Sequence, residues 1–142
     1  MSKYISDEYI KNLQKMMKHR IKEADLCFTS GSYFATILLI GSCAECILYS
    51  VAIKYAKNNP RDWNFESLIN WAVQNNIITD KSNCFLQENK NLRNLIHIKL
   101  DFGQSNEIDF NKVECVIKNF EIVTDEIFTS LKSLVEVTND NN

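Results

Sequence analysis

Three glycines and one proline in 142 residues leave this chain few means of turning sharply. Tight turns are built on glycine's positive φ and proline's fixed φ, so a chain poor in both is committed to long elements with few links. Helices suit that economy because they satisfy their own backbone hydrogen bonds. The remaining composition, 45% hydrophobic and 24% charged, is that of a globular protein. Its length suffices for a core without metal or disulfide staples. The expected fold class is all-α, about five helices in an up-and-down bundle. One domain should span residues 1–142, with 137–142 as a disordered tail.

Hydrophobic spacing places the helices. Ser6 is a fitting N-cap for a first helix over about Asp7–Cys27, with Asp7 and Glu8 where the helix dipole favours negative charge. Ile5 and Ile10 stand at staple positions. Ser30-Gly31-Ser32 breaks the chain before a second helix from Tyr33 to about Lys57. Asn58-Asn59-Pro60-Arg61-Asp62 reads as a loop, and Asn64 caps a third helix, about Phe65–Asn76. A fourth runs from about Lys81 to Ile98. Asp109 caps the last, in which Phe110, Val113, Ile117, Phe120, Thr124, Ile127, Leu131 and Leu134 step as a packing seam.

The second helix is distinctive because residues 33–53 carry a single charge, Glu45. By length it could span a membrane. Against that stand Thr36, Gly41, Ser42 and Ser50, and a mid-span carboxylate that costs roughly 2.5–3.5 kcal/mol. Four amphipathic helices also need something to cover. It is therefore expected to be the apolar central helix of the bundle, with no membrane involved. A lone carboxylate there should meet a cation, with Arg93 the first choice and His97 or Lys90 behind it.

Net charge is −2, so nothing in the overall balance draws the chain to nucleic acid or anionic membrane. The distribution is uneven. Lys3, Lys11, Lys15, Lys18, Arg20 and Lys22 outweigh Asp7 and Glu8 in residues 1–22, whereas residues 101–142 hold nine acidic against three basic side chains. Cys27, Cys43, Cys46, Cys84 and Cys115 are an odd number, and the first twenty residues contain no apolar signal region. A reduced, cytoplasmic protein is expected. Cys43-x-x-Cys46 has a spacing used for zinc or redox chemistry. It lies in an apolar run with no second pair and no nearby histidine, so buried thiols acting as small hydrophobes are expected, with no metal and no cofactor.

Chemistry gathers in the fourth helix. At 100° per residue, Lys90, Arg93, Asn94 and His97 fall within about 100° of one another, with Phe85, Leu92, Leu95 and Ile96 opposite. Arginine offers a bidentate fork to phosphate and histidine moves protons near neutral pH. A solvated polar face has the same pattern.

The order of elements, with Ala44-Glu45 in an apolar second helix and Leu92-Arg93-Asn94-Leu95-Ile96-His97 in a later one, resembles the HEPN superfamily. Those helical bundles occur in prokaryotic toxin–antitoxin and defence systems and beside nucleotidyltransferases. The resemblance spans residues 6 to 136. It implies a homodimer whose paired motifs form one cleft, and a metal-independent RNase in active members. Under it, His97 acts as base or acid at a ribose 2′-hydroxyl and Arg93 holds the phosphate. Asn94 is the polar residue following the arginine, and Glu45 braces the site. Lys90 and Lys99 are further candidates for binding. The chain departs from the family's Arg, four to six residues, His pattern, since three residues separate Arg93 from His97. Lys90 stands at the long spacing, and Lys99 stands where some members carry tyrosine.

Three classes stay open on these residues. One is a small dimeric RNase. Another is a non-catalytic module holding RNA, a nucleotide or a protein such as a nucleotidyltransferase-like partner. In the third, Arg93 and His97 only tie helices together and fix a dimer, whose boundary should lie near the Lys90–His97 face because Leu86 and Ile98 flank it.

Overall fold

A computed structural model describes residues 6–94 and 108–140, and the side chains of these up to Ser133. Among the described residues the chain forms five helices and no strand: α1 (Asp7–Thr29), α2 (Tyr33–Tyr55), α3 (Phe65–Gln74), α4 (Asp80–Asn94) and α5 (Phe110–Asp140). The fold is an all-α bundle.

Local side chains start these helices where the sequence places them. Ser6 accepts from the Tyr9 amide at 3.2 Å, Asn64 Oδ1 from Ser67 at 2.8 Å and Asp109 Oδ1 from Lys112 at 2.8 Å. Each satisfies an amide that the first turn leaves without a helical partner. The ends differ more from expectation. α1 runs two residues past Cys27, then closes through Gly31 at φ +80°. There the Ser32 amide bonds to Cys27 O at 2.8 Å and the Gly31 amide to Phe28 O at 3.1 Å. α3 stops at Gln74 because Asn76 takes φ +56°, and the Ile77 amide returns to Ala72 O at 2.8 Å. Both are Schellman closures, one on glycine and one on asparagine. α5 continues through Asp140, past Val137 where fraying was expected.

α2 contacts each of the other four helices, which explains why it is apolar on every side. Ile37, Leu48 and Ala52 are fully enclosed. Its Ala44, Leu48 and Ala52 meet Phe65, Leu68 and Ile69 of α3 and Val123 and Ile127 of α5. Toward α1, Ile37 and Ile40 pack with Ala24, and the same cluster takes in Leu92 of α4 and Val113 and Val116 of α5. By length and apolar composition α2 could cross a membrane, but 61% of that stretch is buried inside the bundle.

The packed stripe of α5 departs from the expected seam. Val113 and Ile127 are enclosed, but so are Val116 and Val123, while Phe110 is 47% exposed and rests on Phe28 with ring centroids 5.5 Å apart. The helix meets α2 and α4 together, so its buried surface is wider than a single seam. Glu126 on α5 also closes the start of α4. It accepts from the Thr79 amide, from Thr79 Oγ1 at 3.2 Å and from the enclosed Ser82 Oγ at 2.8 Å.

Candidate functional site

The middle of α2 and the last turn of α4 meet at a glycine. Gly41 lies one turn before Glu45, and a Cβ there would run into Asn89 Oδ1 and stand 3.6 Å from Arg93 Cδ. Its missing side chain lets α4 approach closely enough for Arg93 to reach Glu45. The Arg93 guanidinium donates through Nη1 to Glu45 Oε2. Its other constraint is Phe65, the first residue of α3, whose ring centroid lies 5.1 Å from Arg93 Cζ. The carboxylate holds one nitrogen of the guanidinium and the ring attracts its charge, which restrains a group with several N–H donors to spare. Arg93 is 29% exposed and Glu45 34%, so water reaches the pair.

Lys90, one turn earlier, extends to α3, where its Nζ lies 3.4 Å from Glu66 Oε2. The polar face of α4 thus leans on carboxylates from α2 and α3. Asn94 closes α4 and is exposed. His97 and Lys99 lie outside the described residues, as do Leu95, Ile96 and Ile98. Asn89, buried against Gly41, keeps an Oδ1 with no hydrogen-bond partner among the described residues.

On the other side of Glu45 the surface opens into a groove of about 370 Å³ between α1, α2 and the loop before α3. Arg20, Ser42, Tyr9, Tyr49, Arg61 and Trp63 line it together with Glu45. Arg20 donates to Ser42 Oγ, and the Tyr9 and Tyr49 hydroxyls are 3.2 Å apart. Burial, and then the hydrogen bond with Tyr9, push the Tyr49 phenol up to about 12, so it keeps its proton throughout the neutral range. Among the described residues neither Arg20 nor Arg61 has a carboxylate within ion-pair distance.

Cys43 and Cys46 face α1, with Sγ atoms 4.0 Å from Met17 O and 3.6 Å from Leu13 O. Burial raises both thiols, Cys43 to about 11. They stay protonated at neutral pH and pack as small hydrophobes, as the sequence suggests.

Sequence spacing finds the Glu45–Arg93 pair but not Phe65, Glu66 or Asn89, nor the assembly of the groove. Arg20 and Arg61 are 41 positions apart, one within a run of basic residues and the other in a loop. Only the crossing of α1 over α2 brings them to one surface. Comparison of the chain with protein-family models, curated proteins and solved structures finds no significant match.

Proposed function

We propose that this chain is a HEPN-like helical domain that works as a homodimer and cleaves RNA without a metal ion. The observation that carries this reading is the Arg93 guanidinium held between the Glu45 carboxylate and the Phe65 ring. A phosphate-binding arginine is useful when it is restrained before the ligand arrives. In the proposed reaction His97 takes the proton of a ribose 2′-hydroxyl. The oxygen attacks the adjacent phosphorus while Arg93 stabilises the charge growing on the phosphoryl oxygens, the bond from phosphorus to the 5′-oxygen breaks, and that oxygen takes up a proton from solvent. Asn94, at the end of α4, adds an amide beside Arg93. A 2′,3′-cyclic phosphate and a free 5′-hydroxyl result, and DNA is resistant because it lacks the attacking group.

A second reading is favoured by the same pair. Glu45 neutralises Arg93 and Glu66 answers Lys90, an arrangement also suited to a non-catalytic module that binds RNA, a nucleotide or a nucleotidyltransferase-like protein. The experiment that separates them is incubation of the purified protein with RNA in excess chelator, beside Arg93→Ala and His97→Ala. The RNase reading requires cleavage by the parent and its loss in both variants. Binding without cleavage supports the second reading.

A further inference from the structure

We propose that the groove lined by Arg20, Ser42, Tyr49 and Arg61 is a phosphate subsite that holds the backbone of a single RNA strand beside Arg93. This rests on the reading of the chain as an RNA-processing domain, whose substrate contacts it extends away from α4. Two guanidiniums without carboxylate partners among the described residues converge on one concave surface. Each offers the planar fork that suits phosphate oxygens. The one acid in the lining is Glu45, whose charge Arg93 already answers. Asp62, next to Arg61, also acts on Tyr49, and the two guanidiniums outnumber it. Ser42 and the Tyr9 and Tyr49 phenols add neutral donors. The half-buried Trp63 supplies an aromatic surface on which an unpaired base can stack.

The groove's surroundings favour a strand over a mononucleotide. Its volume, about 370 Å³, suits one nucleotide unit. At Met16 it adjoins a shallow depression of α1 lined by Lys15, Lys18, His19 and Lys22. The basic residues of α1 thus occupy the neighbouring face of the same helix, where phosphates flanking the one in the groove meet positive charge.

The test uses the full chain and a short fluorescein-labelled 2′-O-methyl oligoribonucleotide, which cannot be cleaved by its own 2′-oxygen. Anisotropy titrations compare the parent with Arg61→Ala, Arg20→Lys and, as a charge control distant in sequence and exposed, Lys118→Ala. Loss of one charge-assisted contact should weaken binding by about tenfold in Arg61→Ala. Arg20→Lys should bind less tightly than the parent because it loses the fork. Lys118→Ala should bind within about twofold of the parent. Competition by inorganic phosphate or a nucleoside 5′-monophosphate should be far weaker than by unlabelled oligonucleotide. Arg61 is exposed and in a loop, so its variant separates binding from folding. Parent-like affinity in both arginine variants overturns the proposal even if the chain cleaves RNA. Groove-dependent binding by a parent that cleaves nothing leaves it standing and removes only the RNase reading. A nucleoside monophosphate competing as well as the oligonucleotide replaces the strand with a free nucleotide and overturns the proposal as stated.

Discussion

Glu45 shows how much one side chain can organise. It is the sole charge among residues 33–53 of α2, and three features meet at it: the Arg93 guanidinium, the close approach that Gly41 permits, and the groove on its other side. Removal of a carboxylate from a fully buried ion pair leaves its cation unpaired at a cost of about 3–5 kcal/mol. Here about a third of each side chain reaches water, so Glu45→Ala should destabilise the protein by less, about 1–2 kcal/mol. A double-mutant cycle with Arg93→Ala should give a coupling of at least about 0.5 kcal/mol in urea denaturation. Strict additivity would mean the two groups do not hold one another. The pairing was legible in the sequence because burying a lone carboxylate demands a cation and few were within reach. Phe65 beside the guanidinium was not legible, because a ring in an apolar pattern gives no sign of what it meets.

Cys43 carries a second consequence at this scale. Its pKa is raised to about 11, so the folded protein keeps a proton that the unfolded chain loses near pH 9. Stability from this group is complete below pH 9 and is lost as pH rises through 11. Cys43→Ala or Cys43→Val should flatten the fall in thermal midpoint between those values, after allowance for Tyr49, which acts in the same sense over pH 10 to 12. An unchanged alkaline slope in both variants would show that the thiol is not shielded.

Elements began where their sequence signals put them and ended less predictably. Ser6, Asn64 and Asp109 act through hydrogen bonds to amides three residues away, which is local chemistry readable from a few positions. The tie from Glu126 to the start of α4 joins residues 47 apart and left no such signal. Val113, Ile117, Phe120, Ile127 and Leu131 of the α5 seam are packed, but the stripe is wider than the seam because Val116 and Val123 face neighbours whose positions depend on how α4 crosses α5. Gly41 belongs to the same category, since nothing in a glycine within an apolar helix says what lies against it. Gly41→Ala raises helix propensity by about 1 kcal/mol, yet its methyl group must displace Asn89. The net change should be destabilising, by about 1–2 kcal/mol, and under the proposed RNase reading RNA cleavage should fall because α4 and Arg93 shift together. A more stable variant of unchanged activity would show that the α2–α4 contact is loose.

At the scale of the whole molecule, sparse glycine and proline lead to long helices, and one helix apolar on all sides leads to a bundle built around it. α2 both forms the centre of the core and carries Glu45, so the same packing that stabilises the fold restrains Arg93. The basic residues of α1 and the arginines of the groove lie on adjoining surfaces, so positive charge gathers locally although the overall charge is negative. The proposed chemistry depends on Arg93, Asn94 and His97 acting together on RNA. Its most direct test is product analysis after RNA is incubated with the pure protein in excess chelator, with Arg93→Ala and His97→Ala in parallel. The account predicts fragments ending in 2′,3′-cyclic phosphate from the parent, none from either variant, and helical spectra alike in all three. Cleavage that survives in His97→Ala, or that begins only on addition of magnesium, would contradict it.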